Sequence, residues 1–519
     1  MAPGDFLPSP SPRLEDLKSC EDWLARTAPA DTPHSCSALL TLLGEIENAP
    51  PRHSVYLQIL ERLRYPVLLA GAEQAKRFAG KPLPLSQGEA AAFVQATHLW
   101  TAMLRGYARL LGASLSGKHS ELEHSFARLC HRVLACSGEF IGACLLARRE
   151  FGTDCWKLIH QAYTAAEARG VVAETVADLS VDSSPMAAFA EVLMLQLAQP
   201  SRLSHRELGW ARKWIRHWSR KAPLDREAPS RGGYAVDLAG RSGPVWVKSS
   251  AGPATLRFLD LNRVVHSVNA RIRRLEEGAD PAVLGLGSDC ARLAAQDLLK
   301  TLGRAWSDSV PARDFPKRKS ASPMELVSGF AAIHHAIEGR SAARSASPSN
   351  YSYGEAERLH TFQRVAEPTA APKVRERGAE NWETLEESDD GFRLRRTMPG
   401  MRLAHRQLVA LRPGGARRFI LCHIDWLIEG PDQTLTIGAR ALKGVAKACA
   451  VRWTDHSAQQ RSDALMLPVA PGLAPALVLP AGRHQHAREL ELKLGNAVSH
   501  VTLSGLIERG FDYESFSVS

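Results

Sequence analysis

The chain has 519 residues, with 45% hydrophobic and 23% charged residues and a formal net charge of +10. At roughly 100–200 residues per domain this length implies several domains, and the apolar share is that of a globular protein with real cores rather than a disordered or fibrous chain. The positive balance favours anionic partners without choosing among nucleotide, nucleic acid and membrane surface. Nine cysteines without a CxxC pair read as buried free thiols in a reducing compartment, and give no closely spaced zinc-ligand set.

Met1–Asp16 lacks the basic and apolar blocks of a secretory signal, and no apolar run approaches the ~20 residues of a membrane span. A cytoplasmic location is expected. From residue 13 to about 221 apolar positions recur at helical spacing, as in Leu57, Leu60, Leu63 and Val67, which predicts an all-helical domain over 1–221. Ser120–Glu123 and Ser204–Glu207 have the form of capping boxes. Gly112–His119 falls one residue short of a phosphate-binding P-loop: His119 stands where Ser or Thr would hold the metal. Because Thr101–Leu111 before it reads as helix rather than strand, the segment is taken as a helix–loop–helix connection, with Gly112 near a C-cap and Ser120 an N-cap. Trp210, Trp214 and Trp218 recur every fourth residue among Arg212, Lys213, Arg216 and Arg220. The preferred reading is that the indoles pack inward. The competing one is an aromatic–basic helix that binds nucleic acid or lies on a membrane.

A small mixed segment is expected over 222–310: a hairpin from Tyr234–Leu238 and Val245–Lys248, then helices at about 260–278 and 288–307. Met324–Ile337 suggests a buried strand running into a short helix. Residues 339–380 are polar, without apolar periodicity, and predict a flexible insertion. From Asn381 short strands follow at regular spacing: Trp382–Leu385, Phe392–Arg396, Gln407–Leu411, Arg418–Trp426 and Thr434–Ala439. This spacing suggests a barrel or sandwich over 311–455. Ala464–Pro480, Glu489–Lys493 and Val498–Leu506 add strands in a β extension over 456–519. The fold class is therefore α+β, an all-helical N-terminal domain and a C-terminal antiparallel β-barrel with extra strands.

No G-x-S-x-G, H-E-x-x-H, GGDEF or EAL sequence occurs, and no enzyme or cofactor is indicated. His334–His335 read as structural histidines. A split constellation stands out: Arg313-Asp-Phe-Pro-Lys317-Arg318-Lys319, and Glu386-Glu-Ser388-Asp-Asp-Gly391 beyond the insertion, followed by Cys422–Trp426 and Ile437–Leu442. Together these resemble the PilZ family, which has an R-x-x-x-R motif, then [D/N]-x-S-x-x-G, then a series of barrel strands.

The resemblance implies a cytosolic, non-enzymatic receptor for cyclic di-GMP. Arg313, Lys317 and Arg318 would hold phosphate and guanine, and Glu386, Ser388 and Gly391 would form a second wall. Arginine forks suit phosphate and stack on purines, whereas Lys317 offers only a point charge. Glu386 stands where the family has Asp or Asn. Binding would reorient the helical domain, which carries the signal to an unidentified protein partner. The alternatives are a degenerate PilZ-like adaptor that binds protein only, and a nucleic-acid binder using residues 210–221.

Overall fold

The computed structural model describes residues 16–26, 32–117, 119–230, 232–248, 252–307, 318–319, 322–339, 379–453, 461–469, 474–482 and 489–519. The expected insertion lies almost wholly outside them. The chain forms two compact units, Met1–Asp314 with Ile428–Asp432, and Phe315–Leu427 with Gln433–Ser519.

The first unit is helical. Its helices are α1 (Leu17–Arg26), α2 (Thr32–Asn48), α3 (His53–Phe78), α4 (Gln87–Leu115), α5 (Phe126–Leu146), α6 (Thr153–Ala168), α7 (Pro185–Leu197) and α8 (His205–Trp218). The periodicity that predicts α3 is the stripe it buries: Leu57, Leu60, Leu63 and Val67 are all in the core. A capping box starts α8: the Glu207 amide donates to Ser204 Oγ at 3.2 Å, and the Ser204 amide donates to Glu207 Oε2 at 2.7 Å. A second box, Ser86 and Glu89, starts α4. Ser120 does not cap a helix. It opens a 3-10 segment, Ser120–Ser125, for which His119 is the N-cap. Gly112 lies in the last turn of α4, where its carbonyl accepts from the amide of the C-cap Ser116 at 3.1 Å, and Gly117, with φ of +68°, makes the turn.

Strands β1 (Leu224–Asp225), β2 (Gly233–Asp237), β3 (Val245–Val247) and β4 (Leu256–Leu259) form a sheet in the order β1-β4-β2-β3. With α9 (Asn262–Glu276) and α10 (Arg292–Trp306) they share one core with the helices before them. The tryptophans of α8 belong to that core. Trp210 Nε1 donates to Asp289 Oδ2 at 3.0 Å, and Trp214 Nε1 to the Leu286 carbonyl at 2.9 Å. Trp218 meets fully buried Trp306 edge-on at 6.1 Å. The nucleic-acid reading thereby loses its aromatic surface.

By length and hydropathy the stretch Ser120–Leu146 would suffice to cross a membrane, a length the sequence reading found nowhere, and 67% of its most apolar window is buried inside the fold. That burial is what a core helix requires. All nine cysteines are free, and all but Cys155 are buried.

The second unit carries β5 (Arg318–Lys319), β6 (Pro323–Ser328), α11 (Phe330–Glu338), β7 (Glu380–Ser388), β8 (Gly391–Arg396), β9 (Leu408–Pro413), β10 (Ile420–Glu429) and β11 (Leu435–Ala441). The sheet order is β5-β7-β6-β9-β10-β11-β8, and β7 also pairs with β8. Six strands therefore close into an antiparallel barrel, with β5 pairing along β7 beyond the start of β6. Next come β12 (Lys447–Trp453), β13 (Arg461–Leu467), β14 (Ala476–Pro480), β15 (Glu489–Leu494), β16 (Ala497–Arg509) and β17 (Tyr513–Val518). They close a second barrel in the order β12-β13-β14-β17-β16-β15. The strands expected as an extension from residue 456 are thus part of a barrel that already begins at Lys447, because β12 supplies the edges that β13 and β15 pair with. Both barrels and α11 share apolar contacts, including Ile333, Leu408, Leu465 and Tyr513.

Candidate functional site on the first barrel

The hairpin β7–β8 carries the second half of the constellation. Phe392 and Leu394 point into the barrel, while Arg393 is exposed. A bulge between Thr384 and Glu386 shifts the register, so that Glu386 pairs with Arg393 and Ser388 with Gly391 across the Asp389–Asp390 turn. Arg393 Nη1 donates to Glu386 Oε1 at 3.4 Å. Ser388 Oγ donates to the Gly391 carbonyl at 3.2 Å.

Gly391, expected in the second wall of a ligand site, has a structural reason within the barrel. A Cβ there would lie 2.0 Å from the Ala439 carbonyl oxygen, so β8 and β11 close on each other only because position 391 has no side chain. Gly438 is similar on the same face. It pairs with Arg393, and a Cβ on it would lie 2.1 Å from Trp426 Nε1.

The first half of the constellation arrives through β5. Arg318 pairs with Glu387, and Lys319 with Glu386. The backbone of Arg318 thus sits one register position from Ser388, although about seventy residues separate them in sequence. Arg313 and Lys317 lie outside the described residues.

Sequence reasoning missed three neighbours. The Arg393 guanidinium lies over the Trp426 ring, 5.9 Å from its centroid. Arg440 is exposed and pairs with Gly391. Trp426 and Arg393 offer flat surfaces on which a base can stack, and Arg393 and Arg440 add positive charge. The readable signal was a glycine within a strand, Gly438, facing a tryptophan on another strand, since strand glycines mark close approach. Four carboxylates, Glu386, Glu387, Asp389 and Asp390, also crowd this end. Any anion bound here would need the arginines to outweigh them.

A second concave region belongs to the helical unit. A cleft of about 310 Å3 is lined by Leu68, Gly71, Trp100, Glu139, Arg212 and Arg216. Gly142 leaves room for the Arg212 guanidinium, whose carbon would lie 2.4 Å from a Cβ at that position. Arg212 Nη2 donates to Glu139 Oε2 at 2.7 Å, and Arg216 Nη2 donates to Glu139 Oε1 at 2.5 Å. Burial alone would push the Glu139 carboxyl up; Arg212 and Arg216 overcome it and hold the group at about 2. Glu191, paired with Arg216 at 3.3 Å, is pushed above the usual carboxylate range by burial. These arginines are engaged with carboxylates of their own unit.

Fold and site together define an α+β protein whose helical unit precedes two closed barrels, one with arginine, tryptophan and carboxylate side chains on its outer face. Residues 18–229 match the family described as cyclic-di-GMP receptor FimW, N-terminal domain. This likeness supports a relationship to a cyclic di-GMP receptor family, a class of binding and signalling proteins rather than enzymes, and it falls on the helical unit, not the barrels. No curated protein matches the chain.

Proposed function

We propose that this protein is a cytosolic effector that binds cyclic di-GMP at the β5–β7–β8 edge of a divergent PilZ-like barrel and passes the signal to a protein partner through its helical unit. The observation that carries the reading is the pairing of β5 with β7, which sets Arg318 beside Glu386–Ser388. The receptor-family likeness of residues 18–229 supports the same ligand from a separate part of the chain. In this reading Arg313, Lys317 and Arg318 meet phosphate and guanine. Glu386 and the Ser388 hydroxyl read a guanine edge, and Gly391 keeps that edge bare. Arg393 and Trp426 extend the contact.

Isothermal titration of the full chain with cyclic di-GMP tests it. Binding at micromolar ligand, lost in Arg318→Ala and weakened in Ser388→Ala, is the expected result. No heat with the wild-type chain refutes the receptor reading. A second reading, a protein-docking barrel that does not bind nucleotide, is favoured by one observation: Ser388 and Gly391 are already accounted for by contacts within the hairpin and to β11. It predicts silent titration with partner capture retained.

A further inference from the structure

We propose that His53, His119 and Glu121 form a binding site for a divalent transition-metal ion, zinc in the first instance, which ties the start of α3 to the α4–α5 connection. Each residue offers one ligand atom, and the three atoms lie within 4.8 Å of one another. The two imidazole centroids are 4.2 Å apart, and His53 Nδ1 is 3.8 Å from Glu121 Oε1.

The three come from separate places: the first residue of α3, the residue ahead of the 3-10 segment, and the second residue of that segment. Two imidazoles and one carboxylate are a donor set that suits zinc in sites that keep an open fourth position for water. Ligand atoms about 2.0–2.2 Å from a tetrahedral zinc stand about 3.3 Å from each other. The present spacing therefore needs to close by about 1.5 Å at most. His53 and Glu121 retain 31% and 48% of their side-chain exposure, so rotation of side chains alone can supply that movement. Glu121 also borders an open cleft of about 410 Å3 with Ser54 and Ser125, which gives the ion an entrance.

The placement accounts for the segment Gly112–His119, which imitates a P-loop in sequence. Its last residue is a candidate ligand here through imidazole chemistry rather than through a hydroxyl beside phosphate. One other such cluster occurs among the described residues, His334, His335 and Glu338. There His334 is buried and its Nε2 already meets the Cys449 carbonyl at 2.9 Å. Its other ring nitrogen is the one left for a metal, so a variant of this cluster serves as the control that tells the two sites apart.

The test is calorimetric titration of zinc chloride into the full chain carrying no affinity tag, with far-UV circular dichroism to show that each variant is folded. One ion per chain is expected. Affinity should fall about tenfold or more in His119→Ala and in Glu121→Gln, and stay unchanged in His335→Ala. Zinc should also raise the thermal midpoint of the wild-type chain and leave that of His53→Ala/His119→Ala where it was. The proposal is overturned by absence of binding, by equal affinity in wild type and His53→Ala/His119→Ala, or by loss of binding in His335→Ala.

Discussion

Replacing Glu139 by Gln isolates the charge cluster beneath α8. Glu139 is bonded to both Arg212 and Arg216. Its carboxyl is held at about 2, against 4.5 for a free glutamate. Two and a half pH units correspond to about 3 kcal/mol at about 1.4 kcal/mol per unit. A depressed acid stabilises the fold above its unfolded value, and the contribution disappears as pH falls through the folded value. Glu139→Gln should therefore lower the stability of the helical unit by about 3 kcal/mol at neutral pH, since an amide cannot answer two guanidinium groups. The deficit should shrink between about pH 4.5 and pH 2 as the wild-type carboxylate takes up its proton. Denaturant titration followed by near-UV circular dichroism reports on the helical unit, since eight of the eleven tryptophans lie in it. A difference below about 0.5 kcal/mol at neutral pH, the level of an ordinary surface substitution, would refute the reasoning. So would a deficit that stays constant down to about pH 2.

Asp512 should behave in the opposite sense. Burial pushes its carboxyl up to about 6, although its Oδ1 accepts from the Leu408 amide at 2.9 Å. A raised acid contributes fully below about 3.8 and loses that contribution as pH rises through about 6. Asp512→Asn, which keeps an acceptor for Leu408, should therefore gain about 2–3 kcal/mol at pH 8 and flatten the profile in thermal melts across that range. The two strand glycines should part company. Gly391→Ala drives a methyl into backbone at 2.0 Å and should cost about 3 kcal/mol in urea titration, because β8 and β11 must separate. Gly438→Ala meets the Trp426 side chain, which can swing away, so about 1–2 kcal/mol and a shift in tryptophan emission are expected. Equal costs would show that the backbone contact at position 391 is relieved more easily than its geometry implies.

Local order was legible in the chain because it depends on near neighbours. The stripe Leu57–Leu60–Leu63–Val67 and the Ser204–Glu207 box each act within a turn or two of helix, and both occur as read. So do the hairpin of β2 and β3 and most strands of the first barrel. Ser120 misled because a capping pattern does not distinguish an α-helix from a 3-10 turn. Strand β12, Lys-Ala-Cys-Ala-Val-Arg-Trp, has small residues and weak alternation, so nothing local announces it. It becomes a strand because β13 and β15 supply partners on both sides.

The same limit governs the functional regions. The residue types of the split constellation could be read, but the pairing of Arg318 with Glu387 depends on how the barrel closes around residues far apart in sequence. The tryptophan spacing of α8 defined one face. Whether that face met solvent or core was decided by Asp289, Leu286 and Trp306, about 70–90 residues downstream. His53 and His119 are 66 positions apart, and no spacing rule joins them. Short-range preferences are written along the chain. Burial, strand closure and the meeting of distant side chains come from packing, which selects partners by shape and contact rather than by position in the sequence.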